Sequence, residues 1–179
     1  QLQEQAQQGD PAAQLSLAIR YRDAKGVAKD DAVAMQWAHR AADQGHADAL
    51  DFVGFAYLRG AVVKRRPEIA FGYFKAAAEQ SAQAAFNLGQ CYYGAQGTEQ
   101  DCAKAVDWWK KAAAKGHGRA ASTAAMALLS GEGVPLDAAE ARRLAERAAE
   151  LNDPSGLIVL GEMQFQAGDS RLKPLPQAF

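Results

Sequence analysis

Residues 84–116 read AAFNLGQCYYGAQGTEQDCAKAVDWWKKAAAKG, and the two halves of this stretch carry separate helical patterns. In the first half Ala84, Leu88, Gly89 and Tyr92 stand at offsets of four, five and eight, which puts them on one stripe of an α-helix. In the second half Ala105, Trp108, Ala112 and Ala113 define another stripe. Gly97-Thr98 lies between the two, where glycine takes the positive φ that ends a helix and turns the chain. Asp101 precedes the second helix and caps it by accepting from free N–H groups of its first turn, and Gly116 ends it.

This pattern recurs along the whole chain. Ala13, Ala49, Ala84, Ala120 and Gly156 are separated by 36, 35, 36 and 36 positions, the signature of stacked copies of one helical unit. Further columns keep the register: Tyr21, Tyr57, Tyr92 and Leu128; Ala34, Ala70, Ala105 and Ala141; Trp37, Tyr73, Trp108 and Leu144; and the small residues Ala18, Gly54, Gly89, Ala125 and Gly161. Asp30 and Asp137 match Asp101 as caps, Asp137 has capping-box spacing to Glu140, and Arg66-Pro67 takes this place in the second unit. Second helices end at Gly45, Gly116 or Asn152, and Asp10-Pro11 and Asp153-Pro154 open first helices. Small residues let helix axes approach within roughly 8–10 Å. The aromatic column Trp37, Tyr73 and Trp108 is expected to fill the core, so truncating Trp108 is expected to cost about 3–5 kcal/mol, while Trp109 falls off the stripe and stays partly exposed.

Composition agrees with an all-α fold. Of the 179 residues 49% are apolar, with alanine dominant and β-branched residues sparse, which favours helix. A net charge of -1 with interspersed signs argues against nucleic acid or an acidic membrane surface as partner. No 18-residue apolar run is present, so membrane insertion is not expected. Gln1 to Gln8 lack the basic and apolar regions of a signal peptide. The two cysteines, Cys91 and Cys102, have no metal-site spacing and are too few for a disulfide framework, although they flank the third loop and a bridge between them stays open.

Taken together, Ala84-x-x-x-Leu88-Gly89-x-x-Tyr92, Gly131-x-Gly133-Val134, Asp137 and Ala105-x-x-Trp108-x-x-x-Ala112-Ala113-x-x-Gly116 resemble the Sel1-like repeats, relatives of tetratricopeptide repeats. Tetratricopeptide arrays repeat at about 34 residues, and the extra positions here fall in the glycine loop. The resemblance covers about residues 10 to 166. It implies an all-α, right-handed superhelical α/α solenoid of about four repeats plus a C-terminal capping helix, with first helices lining a concave face. It also implies an adaptor or scaffold for protein assemblies, for many bacterial members at the cell envelope. A cysteine-rich branch bridges the end of one second helix to the next first helix, and Ala42 with Ala49 or Ala113 with Ala120 stand at those places, which weakens the transfer of that branch's penicillin-binding or β-lactamase-like activity.

The expected organisation is a single repeat domain. Residues 1–9 read as the end of a preceding second helix, 10–45, 46–81, 82–116 and 117–152 as four repeats, 153–167 as a partial fifth repeat or cap, and 168–179 as an extended or frayed tail. The partial units at both ends also allow a piece of something longer, a spacer within a larger chain.

No constellation for catalysis, metal or cofactor binding emerges. His39, His46 and His117 do not cluster with each other or with cysteines and carboxylates. No nucleophile-elbow sequence is present, and the glycines lie in helix-ending loops rather than between a strand and a helix, so no phosphate cradle follows. Paired carboxylates meeting across repeats are the one route to acid–base chemistry left open. Lys64-Arg65-Arg66 is a compact basic run, read as a solvated loop with docking to an acidic patch as the alternative.

Binding is better sought on the first helices, opposite their packing stripe. Phe52, Phe55 and Arg59 project there at i, i+3 and i+7, with Ile19, Asn87, Gln90 and Met126 among the equivalent positions. These seven are the candidate partner-binding residues, forming a mixed apolar and amide-lined groove for a protein or peptide segment. The competing reading is that Phe52 or Phe55 is buried within the monomer. The expected function is a noncatalytic protein–protein adaptor, in a periplasmic or secreted setting by resemblance alone. The alternatives are a peptidoglycan-binding or hydrolase-like envelope protein, or the spacer.

Overall fold

Helix starts follow the capping residues. In the computed structural model, which describes residues 1–166, the carboxylates of Asp30, Asp101 and Asp137 each accept from the backbone N–H three residues on, at 2.9 Å. Asp10 accepts from Ala12 and Ala13, Ser81 from Ala84, and His117 through Nδ1 from Ala120. Asp137 makes only half of the expected capping box. Glu140 does not reach back to it, because its carboxylate is held by Lys110 and Arg143 instead.

Ten helices form among the described residues, with no strand: α1 Leu2–Gln7, α2 Pro11–Asp23, α3 Asp31–Asp43, α4 Ala47–Arg59, α5 Pro67–Ala77, α6 Ala82–Tyr93, α7 Cys102–Ala114, α8 Gly118–Ser130, α9 Ala138–Glu150 and α10 Pro154–Gln166. The tail from 168 onward lies outside the described residues. Two compact units result, one of residues 1–100 carrying α1 to α6 and one from Asp101 onward carrying α7 to α10. In the first, α2 packs on α3, α3 on α4, α4 on α5 and α5 on α6; in the second, α7 packs on α8, α8 on α9, and α10 on both α9 and α8.

Three of the hairpins are closed by their backbone in the same way. The N–H groups of Asp30, Arg66 and Asp137, at the heads of second helices, donate to the carbonyls of Tyr21, Tyr57 and Leu128 at 3.0, 2.9 and 3.0 Å. The glycine loops add a contact between repeats. A Cβ on Gly97 would lie 2.2 Å from the Pro67 carbonyl oxygen at the head of α5, and one on Gly133 would lie 2.5 Å from Cys102 Sγ at the head of α7. Both glycines also have a φ near +75° (+76° and +73°), so position and conformation alike exclude a side chain.

The buried face of the second helices differs from expectation by one residue. Wholly buried are Ala34, Ala38 and Ala41; Ala70, Phe74 and Ala77; Ala105, Trp109 and Ala112; and Ala141, Ala145 and Ala148, always at i, i+4 and i+7. Trp109, not Trp108, is therefore the core tryptophan, with 1% of its surface exposed. Trp37, Tyr73 and Trp108 sit half-buried at the edge of the stripe, where Arg40 covers the Trp37 ring at 4.5 Å and Lys111 the Trp108 ring at 4.0 Å. Tyr73 stacks on Tyr57 with ring centroids 6.0 Å apart. The size of the core column varies, and where it is large at Phe74 the facing position is small: Gly54 faces Phe74, where an added Cβ would come within 2.8 Å of the ring, while Ala18 and Ala38 share a cluster in the first hairpin.

Both cysteines are free. Cys91 is wholly buried, and burial pushes its thiol up to about 11, which leaves it unreactive near neutral pH.

Replacing Trp109 with alanine is expected to lower unfolding free energy by about 3–5 kcal/mol, against about 1–2 kcal/mol for Trp108→Ala. Urea unfolding of the two variants checks the order, and an equal or reversed order would contradict the assigned core. Gly97→Ala is expected to destabilise by about 2–4 kcal/mol, since the loop must both strain and move. A thermal midpoint within about a degree of wild type would rule out the tight loop contact.

Candidate functional site: a groove on the first unit

The outer side of α2 and α4 is not consumed by hairpin packing. Helical spacing brings Phe52, Phe55 and Arg59 of α4 to one side, and Ile19 and Arg22 of α2 face them across a groove of about 420 Å³. Leu15, Met35 and Ala34 supply its apolar floor, and Val62 and Ala61 of the following loop lie at one end. Phe52 is half-buried against the core cluster of this unit, whereas Phe55 is 50% exposed. Arg22 covers the Phe52 ring at 5.1 Å, and Arg59 covers the Phe55 ring at 5.8 Å.

Of the seven sequence-derived candidates, Ile19, Phe52, Phe55 and Arg59 thus line one groove. Asn87 differs. It is 9% exposed, its amide donates to Asp51 Oδ1 at 2.7 Å, and its carbonyl oxygen accepts from Gln83 at 3.2 Å, so it ties α6 to α4 rather than offering hydrogen bonds to a partner. Gln90 is partly exposed on α6 and does not line the groove. Met126, in the second unit, is 52% exposed. Lys64, Arg65 and Arg66 are exposed, with Arg65 Nε donating to the Leu58 carbonyl at 3.1 Å.

Asp48 and Asp51 were not singled out by the sequence reading, yet both line the groove. Asp48 Oδ1 accepts from the Ser81 hydroxyl at 3.2 Å, and Asp51 Oδ1 from Asn87. Burial pushes the Asp51 carboxyl up to about 6; the Asn87 amide opposes this and the charge of Asp48 adds to it. Of the other charges around the groove, Arg59 lies over the Phe55 ring, and two more are in local ion pairs. Arg22 binds Asp23 at 2.7 Å, and Lys29 binds Asp31 at 3.3 Å. The repeat register aligns Asn87 with Phe52 and does not pair it with Asp51; adjacent packing of α4 and α6 makes Asp51 and Asn87 neighbours.

No cluster of three or more side chains able to hold a metal ion forms among the described residues. No helix among them is long and apolar enough to cross a membrane.

Tandem helical hairpins with an open side on their first helices define an α/α-repeat protein of the solenoid class. Sel1 repeat models match residues 11–46, 47–81, 82–117 and 120–153, and the chain belongs to the Sel1 repeat family. A solved structure of a protective antigen from uropathogenic Escherichia coli, with an SLR fold, is 33% identical at a TM-score of 0.87, covering 93% of this chain and 36% of its own. A Sel1 repeat protein from Oxalobacter formigenes is 30% identical at a TM-score of 0.79, covering 87% of this chain and 64% of its own. The chain therefore spans about a third of the first relative's length and just under two thirds of the second's. No curated protein matches it. Sel1 repeat proteins are generally noncatalytic helical scaffolds that bind other proteins.

Asp51 has a consequence for stability. Its folded-state pKa of about 6 lies above the unfolded value of about 3.9, so between these values the folded chain holds a proton that the unfolded chain releases. Stability from this group is present below about pH 4 and is lost as pH rises to about 6. Asp51→Asn should remove about 1–2 kcal/mol of that decline, a figure reduced for the carboxyl's partial exposure. Thermal midpoints of both proteins from pH 3.5 to 7.5 would show it, and parallel curves would refute it.

Proposed function

We propose that this chain is a noncatalytic adaptor that seats a segment of a partner protein in the first unit's groove, within a bacterial envelope-associated or secreted assembly. The observation that carries the reading is the half-open aromatic pair Phe52 and Phe55 beside Ile19, in a concave space of about 420 Å³ rimmed by arginine. Aromatic anchors with a polar rim are the usual composition of a protein-binding centre. Membership of a family of interaction scaffolds supports the same class of function. The similar E. coli protein described as a protective antigen supports the envelope setting.

Capture of partners from source-cell extract with wild type and with the Phe52→Ala, Phe55→Ala double variant tests the groove. Recovery is expected to fall about tenfold or more in a variant whose circular dichroism is unchanged. Equal recovery would overturn the reading. Calorimetry with peptidoglycan fragments is expected to give no heat, and sub-millimolar binding without a protein partner would favour a wall-glycan binder instead.

A further inference from the structure

The groove's charges do not cancel in the way its composition suggests. Arg22 is already held by Asp23, Lys29 by Asp31, and Arg59, the third cation of the lining, lies over the Phe55 ring at 5.8 Å. Asp48 and Asp51 are different: each has one oxygen bonded to a neutral donor, Ser81 or Asn87, and neither is in an ion pair among the described residues. They stand three residues apart on α4, so both carboxylates lie on one side of the helix, next to Phe52 and within the same cavity lining. The charge that acts on Asp51 is the like charge of Asp48, and whereas Asp48 is exposed, Asp51 is largely removed from water. Two such carboxylates repel each other, and a cation placed between them relieves the repulsion while gaining charge-assisted hydrogen bonds.

The neighbouring surface says what kind of cation fits. Phe52, Phe55 and Ile19 offer apolar contact to a hydrocarbon stem, and a long aliphatic side chain with a charged tip satisfies both parts of the site. Resting on the reading that this groove holds a protein segment, we propose that the segment is anchored by a lysine or arginine side chain that inserts beside Phe52 and pairs with Asp48 and Asp51, with an adjacent apolar residue packing on Phe55. The partner is thus a basic-apolar stretch of another protein. A bare metal ion is a poorer fit, since no third ligand converges there among the described residues.

A random peptide library displayed on phage, selected on the intact chain, tests this. Selected peptides are expected to share a lysine or arginine next to an apolar residue. For one such synthetic peptide, Asp51→Asn with Asp48→Asn is expected to weaken binding about tenfold or more. Replacing the peptide's basic residue with norleucine should weaken it similarly on wild type and cause little further loss on the double variant, as a direct pair requires. Selection on Phe52→Ala, Phe55→Ala is expected to enrich nothing. Peptides that depend on Phe52 and Phe55 but lack a basic residue, or keep full affinity for Asp51→Asn with Asp48→Asn, would overturn the anchor and leave the groove standing. Enrichment indifferent to the phenylalanines, or no enrichment at all on wild type, would overturn the groove and the anchor together. Dimerisation of the free chain in light scattering, abolished by Asp51→Asn, would make a second copy the occupant and also overturn the proposal.

Discussion

The close approach of helices through alanine and glycine is the constraint on which the rest of this structure depends. On every second helix the residues at i, i+4 and i+7 of the buried face are wholly covered, and most are alanine. Side chains this small give little hydrophobic stabilisation singly, about 0.8 kcal/mol for each buried methyl-sized group, but they shorten the distance between helix axes and so multiply dispersion contacts along the helix. The large Phe74 is admitted opposite Gly54, where a Cβ would meet its ring. Volume is conserved across the pair while neither position alone is fixed.

Loop chemistry locks that packing into register. In three hairpins the head of the second helix donates back to the first helix, at Tyr21, Tyr57 and Leu128, and loop glycines rest against the second helix of the preceding repeat at Pro67 and Cys102. With hairpin and stacking contacts thus assigned to inner faces and loops, the outer side of α2 and α4 is released from holding the fold. That freedom is what allows the first unit to keep Phe55 half-exposed and to place Asp48 and Asp51 where neither meets a cation. Burying the Asp51 carboxylate is costly for the isolated chain, and its bond to Asn87 only partly offsets the cost.

The groove was half legible before any coordinates. Offsets of three and seven along one helix suffice to put Phe52, Phe55 and Arg59 together, and the repeat register carries Ile19 to the facing helix. Asn87 occupies the register position of Phe52, but its bonding is not legible in the sequence, because its partner Asp51 stands on a different helix and belongs to another column. The exchange of Trp108 and Trp109 has a similar origin. Aromatic residues recur in the column of Trp108, which looks like a core, whereas the truly buried column runs Ala38, Phe74, Trp109 and Ala145 and shows no common residue type.

Sequence alone determined the helical repeat, its period, its caps and its turns, since these rest on interactions between residues a few positions apart and so leave a trace in local spacing. It also determined the family. Which tryptophan is buried, which glutamate or aspartate finds a partner, and which carboxylates stay unpaired beside an aromatic wall were decided only by the tertiary structure. Those outcomes depend on the volume and charge that another helix brings across a gap of a few ångströms, and no spacing within one segment records what the facing segment supplies.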